Sequence, residues 1–155
     1  RDPATIVNAN IDEAELYGIE TDWRWIAYPG GTLMAAASLP RGRDTRNDED
    51  LPGIAPLTGS LGFRHDTGRG FWGQAVFEAA AEQDDVPPGT DATPGWQTVD
   101  VLAGYAATLW GFPSDVFAGC DNVFDQTYRR HLTTSRGFEF HEPGRALYAG
   151  LRMEF

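Results

Sequence analysis

Residues 144–155 read Gly144-Arg-Ala-Leu-Tyr-Ala-Gly-Leu-Arg-Met-Glu-Phe155. Drawn as an extended strand, Leu147, Ala149, Leu151, Met153 and Phe155 share one side, and Ala146, Tyr148, Gly150, Arg152 and Glu154 share the other. Strict alternation ending on an aromatic is the pattern of a strand with hydrocarbon on one side and water on the other. A strand of a water-soluble sandwich can alternate in the same way, so the choice depends on whether the rest of the chain repeats the pattern.

It does. Tyr17, Ile19, Thr21, Trp23 and Trp25 oppose Asp12, Ala14, Leu16, Gly18, Glu20, Asp22 and Arg24. Leu33, Ala35, Ala37 and Leu39 make the next apolar side, and Leu57, Leu61 and Phe63 oppose Thr58, Ser60, Gly62 and Arg64. Phe71, Ala75, Phe77 and Ala79 face away from Gln74, Glu78 and Glu82; Val99, Val101, Ala103, Tyr105 and Leu109 face away from Thr98, Asp100, Gly104 and Thr108. Within residues 115–125 the run Val116-Phe117-Ala118 blurs the alternation, and no side can be assigned. Apolar residues do not recur at three- and four-residue steps, which argues against helices.

The expectation is therefore an all-β, antiparallel transmembrane barrel segment of roughly seven strands, each about ten residues long, enough to cross a bilayer at a barrel tilt. Short turns at 28–31, 66–70 and 111–114 alternate with long polar loops at 40–54, 84–95 and 129–143. Outer-membrane barrels sort their connections in this way, short on the periplasmic side and long outside. On that orientation the chain reaches the periplasmic side at Phe155. Trp23, Trp25, Phe71, Trp72 and Trp110 then lie beside short turns, where an interfacial aromatic girdle belongs.

Composition bounds the function. The 155 residues contain 18 Gly and 10 Pro, and 41% are hydrophobic, which suits many short strands in a single unit, 1–155. No run of apolar residues is long enough for a spanning helix. The chain opens on Arg1-Asp2-Pro3 without a signal peptide, so an exported protein of this sequence would be a mature form, a fragment or an engineered chain. With 23 acidic and 12 basic residues the net charge is −11, which argues against a nucleic-acid partner. Acid clusters at 44–50 and at Glu82, Asp84, Asp85 and Asp91 read as solvated loops, with divalent-cation contact as the sharper alternative. Cys120 is the only cysteine, so neither an internal disulfide nor a cysteine-based zinc site can form. Ser38, Ser60, Ser114 and Ser135 sit in no nucleophile motif, and Glu20 with Glu78 reads as polar lining rather than a catalytic pair, so no enzyme is expected.

Three motifs carry a resemblance. Asn122-Val-Phe124-Asp125-Gln-Thr-Tyr128 resembles the Asn-x-Phe-Asp-x-x-Tyr signature near the end of TonB-dependent outer-membrane receptors. Glu142-Pro143-Gly144-Arg145, followed by an alternating strand ending in Phe155, resembles the closing strand of that family, and Ala14-Glu-Leu-Tyr-Gly18-Ile-Glu20 resembles its Ala-x-Leu-x-Gly-x-Glu strand. The segment Leu51-Pro-Gly-Ile-Ala-Pro56 fits the family's proline-bearing entry into a descending strand. The resemblance implies the last part of a barrel of about 22 strands. It also implies residence in the cell outer membrane of a Gram-negative type and active uptake of metal complexes such as siderophore, haem or copper. Implied partners are outer-membrane lipid, the remaining strands and plug of the whole receptor, and TonB through an N-terminal part that these residues do not contain. No resident cofactor or metal is implied. Asp121-Asn122, His131-Leu132 and the Glu-Pro-Gly-Arg segment resemble the copper-receptor branch, with siderophore receptors close by.

Candidate cargo contacts are Arg129, Arg130, His131, Arg136 and His141 in the last long loop: imidazole suits copper, and the guanidinium groups suit an anionic siderophore or, equally, lipid headgroups. Leu147, Leu151 and Met153 are the expected lipid contacts. Two alternatives stay open. One is a complete eight-stranded barrel with an adhesive or structural role, its eighth strand drawn from residues 4–10. The other is a soluble β-sandwich binding module.

Overall fold

The computed structural model describes residues 13–133 and 140–155. Among these no α-helix occurs; the chain forms one antiparallel sheet. Its strands are β1 (Ala14–Tyr28), β2 (Gly31–Asp44), β3 (Glu49–Asp50), β4 (Thr58–His65), β5 (Gly70–Ala80), β6 (Trp96–Leu109), β7 (Phe112–Asp121) and β8 (Ala146–Met153). The ladder runs β1-β2-β4-β5-β6-β7-β8, with the two-residue β3 attached only to β2. Seven long strands in sequence order match the expectation. The eighth strand sought in residues 4–10 lies outside the described residues.

The register carries the alternation of each strand onto its neighbour. Asp22, Ala36, Ser60, Glu78 and Thr98 follow one another across five strands. Trp23, Ala35, Leu61, Phe77 and Val99 form the adjacent row, on the opposite face. One face of the sheet is therefore apolar over its middle, and the other carries most of its charge. The apolar face is not covered. Ile19 is 73% exposed, Leu147 78% and Leu151 53%, and the buried hydrophobic residues among those described are only Leu51, Trp72, Ala80 and Trp96. Among the described residues each strand meets only its ladder neighbours, with no second layer of strands or helices packed behind. Burial of one large apolar side chain is worth about 1.5–3 kcal/mol. Within the described residues this face gains little of that burial.

Residues 115–125 resolve here. Val116, Ala118 and Cys120 align with the apolar rows, and Phe117 falls on the polar face opposite Gly150. Phe117 is one of a set of aromatics on that face. Trp72 lies against Gly104, where an added Cβ would come within 2.5 Å of the indole and 2.7 Å of the Val116 carbonyl. This corrects the expectation for Trp72: it is buried on the polar face and donates from Nε1 to Asp115 at 2.7 Å, rather than joining an outward girdle.

The connections differ in detail from those expected. Tyr28 pairs with Gly31 around Pro29 and Gly30, whose φ of +89° suits the third position of a type II turn. The turn expected at 111–114 instead closes between Leu109 and Phe112. Its two central residues, Trp110 (φ +52°) and Gly111 (φ +89°), are both left-handed, as a type I′ hairpin requires. Much of the loop expected at 40–54 is strand: Pro40 pairs with Gly18, β2 continues to Asp44, and β3 folds back on it.

Candidate functional site

On the polar face, at the end of the sheet where the long loops lie, is a groove of about 580 Å³. β1 supplies Glu20 and Asp22, β2 Ser38, β4 Thr58 and Ser60, and β5 Glu78. All six occupy even positions, so the period of two that aims the apolar residues one way aims these the other. Glu20 accepts from the Ser38 hydroxyl at 3.1 Å, and Asp22 makes no hydrogen bond or ion pair among the described residues. The groove is acidic, and among the described residues the one base in its lining is Arg130, which comes from the β7–β8 connection.

That connection is held by the motif residues. Asn122, with φ +49°, is almost wholly buried. Its backbone N–H donates to Asp100 Oδ1 at 2.7 Å, its side-chain oxygen accepts from the Gln126 N–H at 2.9 Å, and Nδ2 donates to the Gln126 and Pro143 carbonyls at 2.8 and 3.3 Å. Asp125 accepts from the Arg145 N–H at 2.7 Å, and the Glu142 N–H donates to the Tyr128 carbonyl at 2.8 Å. A Cβ at 144 would stand 2.7 Å from Asp125 Oδ1, which accounts for glycine there. Asn122, Asp125, Tyr128, Pro143, Gly144 and Arg145 thus join the two arms of the loop at its base. Phe124 is exposed, as is Phe155, whose ring lies 5.2 Å from that of Phe112.

Above this staple the loop reaches sideways. The Tyr128 ring packs on Trp96 at 4.6 Å, and the Arg130 guanidinium lies over the same indole, 4.7 Å from its centre. Arg130 also donates to Glu78 Oε2 at 3.1 Å and stands 4.0 Å from a Glu142 oxygen. Burial lowers the Arg130 pKa, but hydrogen bonding to Glu78 and the neighbouring Tyr128 outweigh it, and the net shift is upward. Arg129 donates to the Ala92 carbonyl at 3.1 Å, and His131 Nδ1 shares a hydrogen bond with the Thr93 hydroxyl at 2.8 Å. Burial, and then the Arg129 charge, lower the His131 pKa.

Of the five cargo contacts expected from sequence, Arg129, Arg130 and His131 come together, engaged with the β5–β6 connection and β6. His141 is exposed beside Glu142, and Arg136 lies outside the described residues. Among the described residues no group of three or more His, Cys, Asp or Glu side chains converges as metal ligands would. Sequence reasoning missed Trp96 and Glu142 as members of the site. Glu78 was placed on the correct side but without its cation.

The family described as TonB dependent receptor-like, beta-barrel matches residues 1–123, so the closing strand and the Asn122–Tyr128 motif after Val123 lie beyond the matched stretch. No curated protein matches the chain. Among solved structures, the copper transporter OprC superposes with a TM-score of 0.79 at 22% identity, over 89% of this chain and 22% of that one. At that identity the likeness shows the fold, and the chain spans about a fifth of the length of that structure. The matched stretch covers most of the sequence, and it is the same alternating ladder that the structure displays: the chain belongs to the TonB-dependent receptor-like β-barrel family.

Proposed function

We propose that the chain is the C-terminal part of the barrel of an outer-membrane receptor that takes up metal complexes with TonB-relayed energy. The polar face lines the lumen, the apolar face meets lipid, and residues 1–155 form one barrel segment without a plug. The observation that carries the reading is the uncovered apolar face, continuous in register across the sheet of a chain from this receptor family. Leu147, Leu151 and Met153 are the lipid contacts of its last strand, and the long loops are extracellular. Arg129, Arg130, His131, Arg136 and His141 belong to the loop that cargo meets first. A family of transport receptors supports transport over catalysis. The likeness of this chain to about a fifth of a longer solved structure favours a segment over a self-contained eight-stranded barrel.

Copper is the first cargo to test, because a structural relative is a copper transporter by name. Cells expressing the complete reading frame and cells lacking it would be compared for uptake of radioactive copper and of iron-loaded siderophores, with and without TonB. TonB-dependent accumulation of either cargo, lost on deletion, is expected. Recovery of the protein in the soluble fraction, or uptake indifferent to both deletions, would overturn the reading.

A further inference from the structure

The groove is acidic, yet its rim is filled by a positive charge of the chain's own. Arg130 arrives from a loop stapled at its base by Asn122 and Asp125. Its guanidinium takes the positions a cationic guest would take, over the Trp96 indole, bonded to Glu78 and close to Glu142. An aromatic face with carboxylates beside it is chemistry that recognises organic cations. Glu20 and Asp22 on the far wall add to the same field, with no base but Arg130 to offset them among the described lining residues.

We propose that Arg130 is a tethered cation that straps the β7–β8 loop across the groove, and that cargo bearing a positive charge opens the strap by taking its place. The proposal deepens the uptake reading above and rests on it: it names the charge of the cargo and the contact that cargo must break. The arm is suited to release. Side-chain half-exposure leaves the Arg130–Glu78 pair open to competition, and the Asn122 and Asp125 bonds do not involve the strap. The base therefore stays stapled while residues 128–133, held also by Tyr128 on Trp96 and by the Arg129 and His131 bonds to residues 92 and 93, come away. Anionic cargo would face Glu20, Asp22 and Glu78 at once and would gain only an arginine already engaged.

The test uses the whole receptor in outer-membrane vesicles, its native cysteines including Cys120 replaced by serine and Ser38→Cys placed in the groove. The rate at which a small neutral thiol reagent labels this cysteine reports access. Methylguanidinium chloride should accelerate labelling about three- to tenfold over sodium chloride of equal ionic strength. Arg130→Ala and Glu78→Gln should start at the fast rate and ignore methylguanidinium. A parent receptor indifferent to methylguanidinium, or an Arg130→Ala variant as slow as the parent, overturns the proposal. Acceleration by sodium citrate instead overturns it in favour of an anion-reading arginine. Ser60→Cys provides a second reporter should Ser38→Cys fail to show the heat-shifted band of a folded barrel. Cargo uptake without the labelling response sinks the strap alone; the labelling response without uptake sinks the transport reading and leaves the strap.

Discussion

Asn122 ties together both arms of the β7–β8 loop. Its amide answers three backbone groups on two arms of the chain, and its left-handed φ is one that asparagine tolerates better than most residues. Asn122→Ala leaves those groups unmatched and forces alanine into the same conformation. We expect a loss of about 2–4 kcal/mol in the folded barrel, measured by urea titration in detergent micelles, and faster trypsin cleavage within residues 129–141. Gly104 makes a separate prediction. Gly104→Ala drives a methyl group into the Trp72 ring and a backbone carbonyl that cannot retreat. It should cost about 1–3 kcal/mol, more than Gly59→Ala, where the nearest atom to the added methyl group would lie 3.6 Å away. Residue-scale legibility in the sequence was uneven. Phe117 looked like a fault in the alternation because an aromatic on a wet face is unusual. Only the structure supplies its reason, the vacant surface of Gly150 across the ladder.

At the scale of elements, β8 was the most legible piece. Alternation over Ala146–Met153 had no competing pattern, and the register on β7 agrees with it. Leu151→Arg should destabilise the barrel by about 2–4 kcal/mol in a lipid bilayer if the site lies near mid-membrane, and Ser60→Arg on the opposite face by far less. Equal costs from bilayer unfolding titrations would remove the lipid assignment. The ends of β2 were less legible. Pro40 suggested a break, yet it sits on the ladder, because proline lacks only the donor and the strand continues past it to Asp44. The 3₁₀ turn His131–Thr133 carries a dependence on pH. Burial and the Arg129 charge favour neutral His131 in the folded loop, so the unfolded loop binds a proton first as pH falls. The histidine's contribution is intact above about pH 6.5 and is lost as acid carries the pH down through the lowered folded value. Trypsin cleavage within residues 129–141 should accelerate in that window, and His131→Gln should flatten the response.

For the whole molecule, the all-β barrel segment could be read in advance because one signal, period two, sets every strand and its register at once. The groove could not, because its parts lie far apart in sequence: Glu78, Trp96 and Arg130 meet only through strand pairing and a loop that folds sideways. The alternating lengths of turns and loops indicated which end of the sheet would carry the site, though not which residues would meet there.

One consequence follows from the open path of the ladder. The fifteen residues of β1 and the eight of β8 each keep one flank of amides and carbonyls without a ladder partner among the described residues. In oil such flanks are intolerable, and in water they are adhesive. Made by itself in a cell, this polypeptide should therefore accumulate as insoluble inclusion bodies rather than as lone folded molecules, and strands supplied in trans should bring it into solution in detergent.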